Sequence, residues 1–172
     1  MRIRLVAAVL VLGLSAACGG GDSPDPAAGN DHAHEHAHED GDNAPQALSF
    51  GAPGSAADAS QTLEIVATDP YEFDPPDIAV EPGETVTFTV TNEGDQVHEF
   101  VLGDRAYQDA HEEEMAAGEM HHEGNALTIA PGDTEELTWT FPSDGSISEL
   151  LYGCHEPGHY DGGMVGTIRV GA

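Results

Sequence analysis

The spacing of apolar positions changes twice along this chain, and each change marks a boundary. From Gln61 onward the sequence breaks into short runs set off by Pro and Gly. Thr85-Val86-Thr87-Phe88-Thr89-Val90-Thr91 alternates hydroxyl and apolar side chains, and Glu136–Phe141 alternates again. A repeat of two puts the apolar half on one face of an extended strand. Leu63–Ala67, Asp77–Val80, His98–Leu102, Ala126–Ile129, Ile147–Gly153 and Gly166–Val170 read as further strands. Glu81-Pro82-Gly83, Asn92-Glu93-Gly94-Asp95 and Pro131-Gly132-Asp133 supply turns. Seven to eight short strands over about 110 residues predict an all-β domain, a small antiparallel or mixed Greek-key sandwich with one modest core. Residues 104–124 break the alternation and are rich in Ala, Glu, His and Met. They predict a short helix or ordered loop inserted between two strands.

Before Gln61 the pattern is different. Leu5–Leu14 is an apolar run behind Arg2 and Arg4, followed by Ser15-Ala16-Ala17-Cys18. Ten such residues are too few for a permanent span, so residues 1–17 are expected to be a signal peptide. Leu14–Cys18 resembles a bacterial lipoprotein cleavage box, with Ser15 where an aliphatic residue is usual. That resemblance implies lipidation of Cys18 and an exported protein, anchored on the outer face of the cytoplasmic membrane or held in the periplasm. Residues 18–59 are mainly Gly, Ala, Asp, Pro and Ser, a composition that buries too little to order itself, and are expected to be a linker. His32, His34, His36 and His38 alternate within it beside carboxylates. They read either as a low-specificity trap for divalent metals or as a polar spacer. The folded domain is expected over 60–172.

Charge narrows the partners. Thirty-two carboxylates face four Arg and no Lys, for a net charge of -28. Two of those Arg lie in the signal segment, leaving Arg105 and Arg169. Such a chain repels nucleic acid and anionic lipid head groups and attracts cations, whether metal ions or a basic protein. The same charge also reads simply as a solvating surface.

With Cys18 assigned to the anchor, Cys154 is the lone cysteine of the folded part, so it is a buried spectator, a dimer bridge or a ligand. Its surroundings favour the last. Cys154, His159 and Met164 fall within eleven residues, and the loop between them carries Pro157-Gly158 and Gly162-Gly163, which allow tight reversals. His98, opening a distant strand after a turn, is the best fourth donor. A thiolate, two imidazoles and a thioether form the set of a trigonal blue-copper centre, acceptable to both Cu(I) and Cu(II).

These residues, with Tyr71-Glu72-Phe73, the Val80–Phe88 stretch and His98-Glu99-Phe100, resemble the plastocyanin/azurin cupredoxins from about Gln61 to Val170. The resemblance implies one type 1 copper held by His98, Cys154, His159 and Met164. Two departures stand out. Cys-x4-His is longer than in plastocyanins, and Glu99 occupies the place where many relatives have an Asn that ties the two ligand segments together. His155 should point away from the metal, as a surface residue or one packed behind the ligands. His111 and Met115 would share a helix face. With Met120, His121 and His122 they read as a secondary, weaker copper site, a lid, or a polar helix.

The expected function is single-electron transfer through an exposed His159 edge to a basic partner, a cytochrome or copper oxidase. The alternative is copper handling in resistance, with a copper-transport protein as partner. No enzyme activity is expected, since four protein ligands leave no position for substrate.

Overall fold

The computed structural model describes residues 47–118 and 123–171. Cys18, His32, His34, His36, His38, Met120, His121 and His122 lie outside them, as does the signal segment. Among the described residues, ten strands form two mixed five-stranded sheets that pack as a sandwich. One sheet has the order β1 (Ala52–Pro53), β8 (Thr134–Thr140), β5 (Thr85–Asn92), β2 (Gln61–Thr68), β3 (Glu72–Asp74). The other has β4 (Asp77–Val80), β10 (Val165–Val170), β9 (Glu149–Gly153), β6 (His98–Gly103), β7 (Ala126–Ile129). The β2–β5 and β4–β10 pairings are parallel, and the others antiparallel. The strands read from the sequence are all present. The two extra ones, β1 and β3, are two and three residues long, too short for a period to register.

Alternation sets the core. On β5, Val86, Phe88 and Val90 are fully buried. The opposite face pairs Thr85, Thr87 and Thr91 with Thr140, Thr138 and Thr134 of β8 through hydroxyl contacts of 2.8–2.9 Å. Phe73, Phe88, Phe100 and Tyr152 interlock with ring centroids 5.3–6.0 Å apart, and stacking of this kind adds to area burial.

Order begins before residue 60, against the linker expectation. Phe50 is 2% exposed, stacks on Trp139 at 5.8 Å and meets Tyr107 edge-on at 5.3 Å. Its carbonyl accepts the Trp139 indole N–H. Leu48 and Phe50 are large apolar residues in an otherwise polar stretch, and burying one aromatic ring is worth about 1.5–3 kcal/mol, enough to anchor a short strap.

The 104–124 insertion contains helix α1 (Arg105–Ala117). Asp104 caps it by accepting the Tyr107 N–H at 2.8 Å, and Gly118 ends it in the left-handed region at φ 77. Its two buried residues, Gln108 and His111, are both polar. This helix docks on β6 and β9 through hydrogen bonds rather than an apolar stripe.

Candidate metal centre

β6 opens on His98, β9 runs directly into Cys154, and β10 starts just after Met164. Three strand ends of one sheet thus deliver three donors, and the 154–164 loop supplies the other. That loop folds on itself. Cys154 N–H donates to Met164 O, Met164 N–H to His159 O, and Gly162 N–H to Gly158 O, at 3.0–3.1 Å. Gly158 and Gly163 take φ values of 85 and 96, which an L side chain resists.

The four side chains are buried: His98, Cys154 and Met164 at 0% exposure, His159 at 4%. Cys154 Sγ lies 3.3 Å from His159 Nδ1 and 3.9 Å from His98 Nδ1, and the two Nδ1 atoms are 3.3 Å apart. Among the described residues, this is the group of His, Cys or carboxylate donors that converges within 4.8 Å. Burial holds the His98 imidazolium disfavoured, with His159 reinforcing it, and pushes the Cys154 thiol up to about 11. The His98 imidazole, kept neutral, is ready as a ligand, whereas the thiol must release a proton to a metal. One soft thiolate, a thioether and two imidazoles suit copper in either oxidation state.

The surrounding contacts fix the donors. Glu99 N–H donates to Cys154 Sγ at 3.3 Å. The Glu99 carboxylate, 1% exposed, accepts the backbone N–H of His155. Glu99 therefore makes the tie between ligand segments that an Asn makes in many cupredoxins. Burial raises its pKa to about 7, and the nearby Glu156 adds to the rise. Asn92, at the end of β5, shapes the turn before His98, donating to Gln96 O at 2.7 Å and Ile129 O at 2.9 Å and accepting from Gly94 N–H. Asp69 Oδ1 lies 3.3 Å from His98 Nε2, held by the Asp95 N–H and the Gln96 amide. A carboxylate behind a ligating imidazole orients the ring and raises its basicity.

A sequence profile for copper binding proteins of the plastocyanin/azurin family matches residues 59–171. The chain belongs to this cupredoxin family. The copper-resistant cuproprotein CopI of Rubrivivax gelatinosus is 40% identical over 147 residues, covering 83% of this chain and 85% of that protein. CopI of Pseudomonas aeruginosa is 37% identical over 153 residues, covering 71% and 82%. Among solved structures, auracyanin of Roseiflexus castenholzii aligns at a TM-score of 0.57 with 27% identity, over 66% of this chain and 99% of that one. Auracyanin A of Chloroflexus aurantiacus, described as a "blue" copper protein, aligns at 0.53 with 25% identity, over 63% and 97%. The cupredoxin site holds one type 1 copper through His98, Cys154, His159 and Met164.

One sequence expectation needs correction. His159 does not present an exposed edge, because the Tyr71 ring lies over it at 4.5 Å. Of the two places expected for His155, it takes the one packed behind the ligands: it is 1% exposed, with Nε2 2.6 Å from Gln108 Oε1 and Nδ1 2.7 Å from Glu112 Oε2. Tyr160 stacks on its other side at 4.5 Å. His111 and Met115 border different cavities of the cupredoxin. The His111 cavity is about 100 Å³, and Met115 borders one of about 220 Å³ with Glu112, His155, Pro157 and Gly158. Sequence reading missed Asp69, Tyr71, Gln108 and Glu112, whose roles come from contacts 29 to 88 positions away in the chain. The one local signal was Gln108, a polar residue three before His111 on a helix with little apolar surface.

Proposed function

We propose that this cupredoxin handles copper in copper resistance: it captures the ion outside the cytoplasm and holds or passes it on. The observation that carries this reading is the closed copper end. His159 is 4% exposed under Tyr71, so the imidazole edge that would serve an electron partner is covered. The two CopI relatives support it, being named for copper resistance and aligned over most of their length. Here copper is the cargo. Cys154 would give up its proton to the entering ion, His98, His159 and Met164 would complete its donor set, and the Glu99 N–H would keep the thiolate in place. With every donor coming from the protein, no position is left for a substrate, and the role is not catalytic.

The reading extends to location and partners. Export by residues 1–17 and lipidation of Cys18 would tether the domain at the outer face of the cytoplasmic membrane or in the periplasm. The acidic surface would favour a cation-bearing copper-transport protein. Electron transfer to a cytochrome or copper oxidase is the weaker reading.

Copper tolerance tests the choice. In cells lacking the gene, the wild-type chain should restore growth in copper and Cys154→Ser should not. Equal rescue by both would overturn the reading. Rapid oxidation of the reduced protein by a basic cytochrome, together with unaltered copper tolerance, would favour the carrier instead.

A further inference from the structure

An ion can reach the four buried donors only if part of their cover moves, and Tyr71 carries the marks of a moving part. Its ring centroid lies 4.5 Å from that of His159, the planes tilted by 40°. The ring also rests on the ligand loop at Gly162, where an added Cβ would come within 2.5 Å of Tyr71 Cδ2. Among the described residues, Tyr71 is the one non-glycine position with a positive backbone φ, at 142. A bulky side chain resists that conformation, and residues held in it cluster at ligand clamps and switch regions. The Tyr71 N–H donates to Thr68 O at 3.2 Å, closing the turn between β2 and β3. The strained turn thus holds the ring against the loop.

On its other side the ring has room. Tyr71 borders a cavity of about 550 Å³, whose walls include Val66, Glu72, Asp74, Glu93 and Gly163. That is ample for a phenol ring, and side chains change rotamer quickly where space allows. The lining holds three carboxylates and no cationic side chain, so it gathers cations beside the ring. Gly163 adjoins the donor Met164, which brings the cavity up to the ligand loop. Cys154 Sγ lies 3.3 Å from His159 Nδ1, so a path past His159 ends at the thiol.

We propose that Tyr71 is a gate for the ion: its ring swings off His159 into the cavity to let copper in or out, and closes over the imidazole again. Opening lies on the way in and on the way out, so the gate slows both alike and leaves the affinity untouched. The three carboxylates stand at the entrance and concentrate the ion there. The inference rests on the copper-handling reading for its purpose, since exchange matters where copper is cargo. Its tests read Tyr71 directly and leave copper tolerance aside, so either can fail without the other.

The test uses the full chain. Cu(II) uptake by the metal-free protein is followed by growth of the thiolate-to-copper absorption, and release by its decay in excess chelator. Tyr71→Ala should speed both by about tenfold or more, the factor by which a minor open state limits exchange, with their ratio unchanged. Tyr71→Phe should keep the wild-type rates, because the ring and not the hydroxyl is the cover. In the metal-free protein, acylation by diethyl pyrocarbonate, mapped by mass spectrometry, should reach His159 faster by a similar factor in Tyr71→Ala. His155 should stay protected in both, which reports an intact fold. Should Tyr71→Ala fail to fold, Val66→Phe fills the cavity from β2 and should slow uptake and release together. Unchanged rates in either variant would overturn the gate. So would faster release with uptake unmoved, which would make Tyr71 a brace for the bound ion.

Discussion

Two buried histidine pairs flank Cys154 at nearly the same spacing. The His98 and His159 rings are 5.1 Å apart, and those of His111 and His155 are 4.9 Å apart. Spacing therefore does not make a copper ligand pair; the groups on the ring nitrogens do. In the first pair both Nδ1 atoms face each other and a thiol. In the second, three carboxylates and an amide face the nitrogens. One constellation offers lone pairs to a soft ion, and the other uses nitrogens to hold a helix against a sheet and to face an oxygen-lined cavity.

The comparison can be broken outright at its sulfur. Cys154→Ser should abolish the intense visible thiolate-to-copper absorption and the tight equivalent of copper with it, read by absorption and by titration. A blue Ser variant would mean that the sulfur is not the difference. The second pair is most exposed at Gln108, whose amide donates to Val101 O at 2.8 Å while its oxygen faces His155. Gln108→Ala leaves buried polar groups unanswered and should cost about 2–4 kcal/mol in denaturant unfolding, with the visible absorption retained. Loss of colour as well would show that the helix clamp also sets the copper geometry.

A subtler change removes the charge behind the first pair. Asp69→Asn weakens the donation of His98 to the oxidised ion, so the reduction potential should rise by roughly 60 mV, a tenfold preference for one electron. An unmoved potential in voltammetry would mean that Asp69 only shapes the turn. The smallest effect is expected from Asp104→Ala, which uncaps α1 and should cost about 1 kcal/mol with no change in absorption or potential.

The legibility of these regions in the sequence follows the same division. The type 1 set could be read because three of its donors sit in one eleven-residue stretch, and because the strands that carry them alternate clearly. The β5 and β8 repeats gave the sheet faces for the same reason. The His111 and His155 surroundings could not be read. His155 lies next to a ligand, and period alone turns it outward; only the docking of α1 covers it. Gln108 and Glu112 look like ordinary solvent-facing positions of an acidic helix until β6 and β9 are in place. Phe50 was hidden by the polar residues around it, and its partner Trp139 is 89 positions away.

The threonine pairs between β5 and β8 have a consequence for folding. Slipping the two strands by one residue would separate all three hydroxyl pairs and turn Val86, Phe88 and Val90 toward water together. It would also swing Asn92 off the turn that delivers His98. A chain that nucleates in the wrong register thus forfeits its polar row and its apolar row at once, and has little to hold it there. The ladder therefore penalises a misaligned sheet on both faces, and with it any metal-binding end assembled out of line.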